Sequence, residues 1–217
     1  MNIEQARFNM IEQQIRPWEV LDQAVLSLLG VVKREDFVPV AYRAMAFVDT
    51  EVPLPGGQHM LAPKVDARLL QELAVHKHER VLEVGAGSGF MAALLGHQAQ
   101  QVTTLEIVPE LARLATDNLR RASVMNVNVL QANGCRGLVV EAPFDVILLS
   151  GSVAEVPPQL LAQLKVGGRL AAIVGQAPVM RAMLFTRSGE QSFSSVDLFD
   201  TVAPRLKGFD EPARFSF

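Results

Sequence analysis

The chain has 217 residues, 49% hydrophobic and 20% charged, which is long enough to bury a sizeable core and too apolar for a disordered chain. A net charge of −3 with no basic stripe of interleaved aromatics argues against nucleic acid as a main partner, and no window approaches the roughly 18 consecutive apolar residues of a membrane span. The single cysteine, Cys135, excludes an intramolecular disulfide, and Glu4 and Arg7 precede any apolar run, so no signal peptide is visible and a cytoplasmic protein is expected.

The first thirty residues have a helical period. Ala6, Met10, Ile11 and Gln14 share a face up to the break at Pro17 and Trp18, with Trp18 read as a core anchor. Val25, Leu26, Leu28 and Leu29 stripe a second helix over 22–32. Lys33-Arg34-Glu35-Asp36 reads as a charged turn before Phe37-Val38-Pro39, and residues 40–55 as irregular with short extended pieces. Val52-Pro53-Leu54-Pro55-Gly56-Gly57 is a turn-rich loop of the kind that carries function or a crossing between domains. A boundary near Ala62 divides an N-terminal helical lobe with its substrate loop, 1–62, from a main body, 63–217.

Helix 63–75 opens that body. Strands 81–84, 101–106, 126–131, 144–150 and 169–174 then alternate with helices 89–97, 109–122 and 157–164, a pattern that means a parallel sheet with helices on both faces. Strands 180–187 and 193–202, joined at Ser188-Gly189-Glu190, form a terminal antiparallel hairpin. His76 and His78 could face one metal, but no third ligand is near in sequence, so they read as a solvated turn and no metal is expected. Asp145 and Lys165 read as surface or turn charges.

The organising stretch is Val81-Leu82-Glu83-Val84-Gly85-Ala86-Gly87-Ser88-Gly89-Phe90, a buried strand running into three alternate glycines and then a helix. Bare backbone and the unpaired N–H groups of a helix start suit a ligand with acceptor atoms at the carboxyl end of a parallel strand. The dinucleotide fingerprint would place its third glycine where this chain has Phe90. Glu106 ends the next strand about 20 residues on, where a carboxylate can accept both ribose hydroxyls. Glu83 with the glycines resembles the first motif of S-adenosylmethionine-dependent methyltransferases. The expected cofactor-binding residues are Glu83, Gly85, Ala86, Gly87, Ser88, Gly89, Glu106, Ile107, Asn133, Gly134 and Ser150. Cys135 is placed beside the adenine pocket.

A more specific resemblance runs through most of residues 5–175. It is carried by Ala6-Arg7 through Gln14, Arg34-Glu35-Asp36-Phe37-Val38-Pro39, Pro53-Leu54-Pro55 into Gly57-Gln58, the glycine motif, Ala142-Pro143-Phe144-Asp145, Val156-Pro157, Gln163-Leu164-Lys165 and Gly167-Gly168-Arg169-Leu170. On these the chain resembles the protein-L-isoaspartate O-methyltransferases. The resemblance implies a class I methyltransferase fold with a Rossmann-like, mostly parallel sheet, S-adenosyl-L-methionine as cofactor, and methylation of isoaspartyl carboxylates in damaged proteins. Gln58, His59, Met60 and Leu61 would form the substrate loop.

Two departures stand out. After Gly-Gln the family has Thr-Ile-Ser-Gln-Pro, and this chain has His59-Met60-Leu61-Ala62-Pro63, so Leu61 replaces the active-site serine. Where the family has Gly-Asp-Gly, this chain has Ala132-Asn133-Gly134, and Asn133 keeps a carbonyl able to accept from an adenine amino group. His59 could supply the missing donor or be an exposed loop residue, and Gln58 is expected to bond the loop backbone. The sequence assigns no catalytic residue and no oligomeric state. A slower isoaspartyl enzyme, a methyltransferase with another acceptor and a non-catalytic cofactor-binding protein all stay open.

Overall fold

The computed structural model describes residues 2–211. Helix α1 (Ile3–Met10) is capped by Asn2, whose side chain accepts from the Gln5 N–H. It continues as a wide π-turn, Ile11–Ile15, and a 3-10 turn, Arg16–Trp18, then stops at Glu19 in the left-handed region with φ 63°. Trp18 is half-buried and packs edge-on against Phe199, with ring centroids 4.9 Å apart. Asp22 caps α2 (Gln23–Val31).

The Lys33–Asp36 stretch forms a turn, as its sequence suggests, but two of its charges are buried. Arg34 and Glu35 are 1% and 4% exposed, in a 3-10 turn over Arg34–Asp36. Buried charges need partners, and these have them: Glu35 pairs with Arg7, and Arg34 with Asp66. A further 3-10 segment, Val40–Met45, precedes a small hairpin of β1 (Val52–Leu54) and β2 (Gln58–Met60) around the Pro55–Gly57 turn.

After α3 (Pro63–Leu73) the strands are β3 (Arg80–Val84), β4 (Gln101–Glu106), β5 (Val127–Gln131), β6 (Phe144–Val153), β7 (Leu164–Gln176), β8 (Val179–Arg187) and β9 (Phe193–Asp200). They form one sheet in the order β5-β4-β3-β6-β7-β8-β9, parallel from β5 to β7 and antiparallel through β8 and β9. Helices α4 (Phe90–Gln98) and α5 (Pro109–Arg121) follow β3 and β4.

Alternating side chains of the strands feed two cores. One joins Val81, Val102, Val146 and Ile173 to α3, α4, α5 and the N-terminal helices. The other gathers Leu82, Leu105, Ile147 and Leu170, and its only helix is α6 (Pro158–Leu161). The 157–164 helix of the sequence reading is thus cut to four residues, because Leu164 already pairs with Phe144 as a strand. Gln163 fills the gap, donating to Arg136 and Gln159 carbonyls and accepting from the Leu138 N–H.

Asp145 and Lys165 are also more than surface charges. Both Asp145 oxygens lie 2.8 Å from Lys165 Nζ, and Oδ2 accepts from the Arg80 N–H at 2.8 Å, which ties β3, β6 and β7 together. No helix among the described residues is long and apolar enough to cross a membrane.

Candidate functional site

The glycine stretch leaves β3 and folds back on β4. Gly85 N–H and Ala86 N–H both donate to the Leu105 carbonyl, at 2.8 and 3.3 Å. The Glu106 carboxylate then takes one backbone N–H on each oxygen, Gly87 on Oε2 and Val108 on Oε1, both at 2.9 Å. A single acid at a strand end therefore sets the curvature of two loops while keeping a lone pair on each oxygen for a ligand. Gly89 has φ 83°, and a Cβ there would lie 3.2 Å from the Ala115 backbone, so the third glycine is required by close packing against α5.

Glu83 sits fully buried beneath this loop, its Oε2 accepting from Thr104 Oγ1 at 2.6 Å and its Oε1 from Ser150 Oγ at 2.7 Å. Next to it a cavity of about 30 Å³ is lined by His59, Met60, Leu61, Asp66, Glu83, the Gly85–Ser88 loop, Phe90, Met91 and Ser150. Arg34 closes it from behind, donating to Asp66 Oδ2 at 2.8 Å and to the Leu61 carbonyl at 2.7 Å, with its guanidinium 4.9 Å from the Phe90 ring centre.

Burial pushes the Glu83 carboxyl up to about 7, against the two hydroxyl hydrogen bonds, and the nearby Asp66 and Glu106 carboxylates push the same way. Burial likewise lifts Asp66 to about 6, with Arg34 pulling it back. The sign for stability follows. Folded Glu83 keeps its proton where the unfolded chain has released it, so its contribution is full below about pH 4.5 and is lost as pH rises through 7. Urea denaturation at pH 5 and pH 8 is therefore expected to show wild type losing roughly 2 kcal/mol relative to Glu83→Gln. An equal pH response in both proteins would show that Glu83 titrates normally.

The remaining residues lie around the rim. Loop 54–57 covers the glycines: a Cβ at Gly87 would meet Leu54 at 3.3 Å and one at Gly56 would meet Val108 at 3.5 Å. Gln58 donates to the Gly57 carbonyl at 3.2 Å, and His59 is exposed. Ile107 is half-buried between Glu106 and Val108. Gly134 packs so tightly on β3 that a Cβ would lie 2.3 Å from Val84 Cγ1. Asn133 is exposed, and its carbonyl oxygen, read from sequence as free for a ligand, accepts from the Cys135 N–H at 3.0 Å. One lone pair of that oxygen is thus used in shaping the turn. His76 and His78 stack with ring centres 5.9 Å apart, and no group of three metal-ligating side chains occurs among the described residues.

Sequence reasoning missed two components. One is the Arg34–Asp66 pair, and the available signal was Asp66 itself, an acid three and four residues before Leu69 and Leu70 on the apolar stripe of α3. The other is the segment after β9. Ser152 N–H donates to the Pro204 carbonyl at 2.8 Å, Leu206 N–H to the Ser152 carbonyl at 2.9 Å, and Lys207 Nζ to the Gly56 carbonyl at 2.8 Å. The segment crosses the carboxyl ends of the strands, and Leu206 lies where a Cβ at Gly85, itself at φ 95°, would come within 2.6 Å.

Comparison with known proteins places this arrangement. Residues 5–202 match the family described as Protein-L-isoaspartate(D-aspartate) O-methyltransferase (PCMT). A protein named protein-L-isoaspartate O-methyltransferase from Koribacter versatilis (strain Ellin345) is 40% identical over 83% of this chain and 81% of its own length. Another so named, from Rhodopseudomonas palustris, is 38% identical over 94% of this chain and 95% of its own length. A Plasmodium falciparum crystal structure described as a beta-aspartate methyltransferase (PCMT), in complex with S-adenosyl-L-homocysteine, superposes with a TM-score of 0.78 at 22% identity, covering 95% of this chain and 99% of that one. That superposition shows a common fold.

Proposed function

This chain belongs to the protein-L-isoaspartate(D-aspartate) O-methyltransferase family, and from that premise we propose that it transfers a methyl group from S-adenosyl-L-methionine to a carboxylate of isoaspartyl-containing peptides or proteins. The observation that carries the cofactor assignment is Glu106. Its two oxygens are fixed by backbone N–H groups beside the glycine loop, with a lone pair left on each, an arrangement that fits the hydroxyls of a nucleoside sugar. Gly85 to Gly89 would support the arm beyond the sugar, with Ile107, Asn133 and Gly134 on the adenine side and Glu83 and Ser150 beneath. When bound, the cofactor supplies an electrophilic methyl on a sulfonium.

The chain's own contribution is alignment and dryness. A carboxylate acceptor is ionised at neutral pH and needs no general base, so no acid–base residue is required. Leu54, Met60 and Leu61 are buried, and they present apolar surface over the glycine loop, which excludes water and holds the reacting groups in line. We place the protein in a reducing compartment, the cytoplasm, on its single free cysteine. A second reading, an acceptor other than an isoaspartyl carboxylate, is favoured by Leu61, whose side chain lines the cavity where the family pattern has a serine.

Isotope transfer from labelled cofactor to an isoaspartyl peptide, against the matched aspartyl peptide, tests the first reading. Selective labelling is expected, and labelling of neither peptide, with cofactor binding intact, would move the acceptor elsewhere. Leu61→Ser restores a hydroxyl that can donate to a charged acceptor, and transfer to the isoaspartyl peptide is expected to rise by about tenfold. No rise would remove this position from acceptor binding.

A further inference from the structure

The cavity beside the glycine loop is narrow, about 30 Å³, with room for at least one water-sized group at its charged end. It lies on the β3–β6 side of the loop, at Glu83 and Ser150, whereas Glu106 ends β4 on the other side. A molecule anchored by its sugar at Glu106 and running over Gly85 and Gly87 delivers its far end here. The walls of this pocket carry charge. Asp66 is 4% exposed and Glu83 is fully buried, and both line the space. Asp66 Oδ2 is held by Arg34, while its Oδ1 accepts no hydrogen bond from any described residue. Both Glu83 oxygens are already taken by Thr104 and Ser150 hydroxyls, so the acceptor left facing the space is Asp66 Oδ1, which suits a positively charged group with N–H donors.

We propose that Asp66 is a cofactor-binding residue whose Oδ1 takes the α-ammonium group of the methionyl arm, with Arg34 holding the other oxygen in place. This rests on the cofactor reading above and assigns a role to a residue of α3, outside the glycine motif. It also accounts for an acid on the apolar stripe of that helix: an ionised side chain in so buried a position is retained where a ligand completes its partners.

Calorimetric titration tests the assignment with two ligands, S-adenosyl-L-homocysteine and the same thioether lacking the α-amino group. Wild type is expected to bind the amino compound at least about tenfold more tightly. Asp66→Asn keeps an oxygen for Arg34 and turns an amide to the cavity, so it should weaken the amino compound by about tenfold or more while leaving the desamino compound within about threefold. Equal weakening of both ligands in the variant would overturn the proposal. So would equal affinity of both ligands for wild type, a measurement that stands even if the variant does not fold. Wild type that ignores both compounds would overturn the cofactor reading itself, and this proposal with it.

Discussion

Arg34→Ala is expected to lose about 3–5 kcal/mol of folding stability in urea denaturation at pH 8, the range found when one partner of a buried ion pair is removed. The guanidinium is 1% exposed and joins three elements at once: Asp66 on α3, the Leu61 carbonyl after β2, and the Phe90 ring at the start of α4. Its removal leaves a carboxylate and a carbonyl buried without donors and opens a void against an aromatic face. The pH dependence separates this account from simple loss of volume. Asp66, already lifted by burial to about 6 with Arg34 opposing, would rise further once Arg34 is gone. The deficit should therefore shrink as pH falls and Asp66 takes up a proton. Pairing the change with Asp66→Leu should recover most of the stability at pH 8. A deficit under 1 kcal/mol, or one that is flat with pH, would mean that the pair contributes little.

Much of the architecture was legible because it rests on local rules. The alternation of apolar runs from Val81 to Val174 gave the parallel strands, and the glycines with Glu83 and Glu106 marked the ligand edge before any packing was known. What stayed hidden depends on contacts between distant positions. Arg34 in a run of four charged residues has the composition of a solvated turn, and only the fold places it against Asp66, 32 residues away. The strap at Leu206 and Lys207 lies far in sequence from Gly85 and Gly56, which it meets, and no periodicity encodes such an encounter. Charge near an apolar stripe was the one usable signal, and Asp66 carried it.

Glu106→Ala is expected to weaken S-adenosyl-L-homocysteine binding by about 10² to 10³-fold, read by calorimetry, with a much smaller change in unfolding midpoint. The carboxylate acts twice: it is the proposed acceptor for the sugar hydroxyls, and it fixes the Gly87 and Val108 N–H groups that set the loops on either side. Losing hydrogen bonds to a charged group costs about 1.5–3 kcal/mol each, and slack in the glycine loop adds an ordering penalty on binding. Stability should suffer less, because both freed N–H groups belong to half-buried loop residues rather than to the core. Glu106→Gln divides the two roles. Its one oxygen can keep only one of the two N–H partners, while its amide opposes the other, so affinity should fall to a value between wild type and the alanine variant. If Gln binds as tightly as wild type, the negative charge is irrelevant and shape alone holds the ligand. If Ala binds as tightly as wild type, the sugar does not rest on Glu106, and the orientation assigned to the whole cleft, with the ammonium pocket at Asp66 as its far end, has to be reversed.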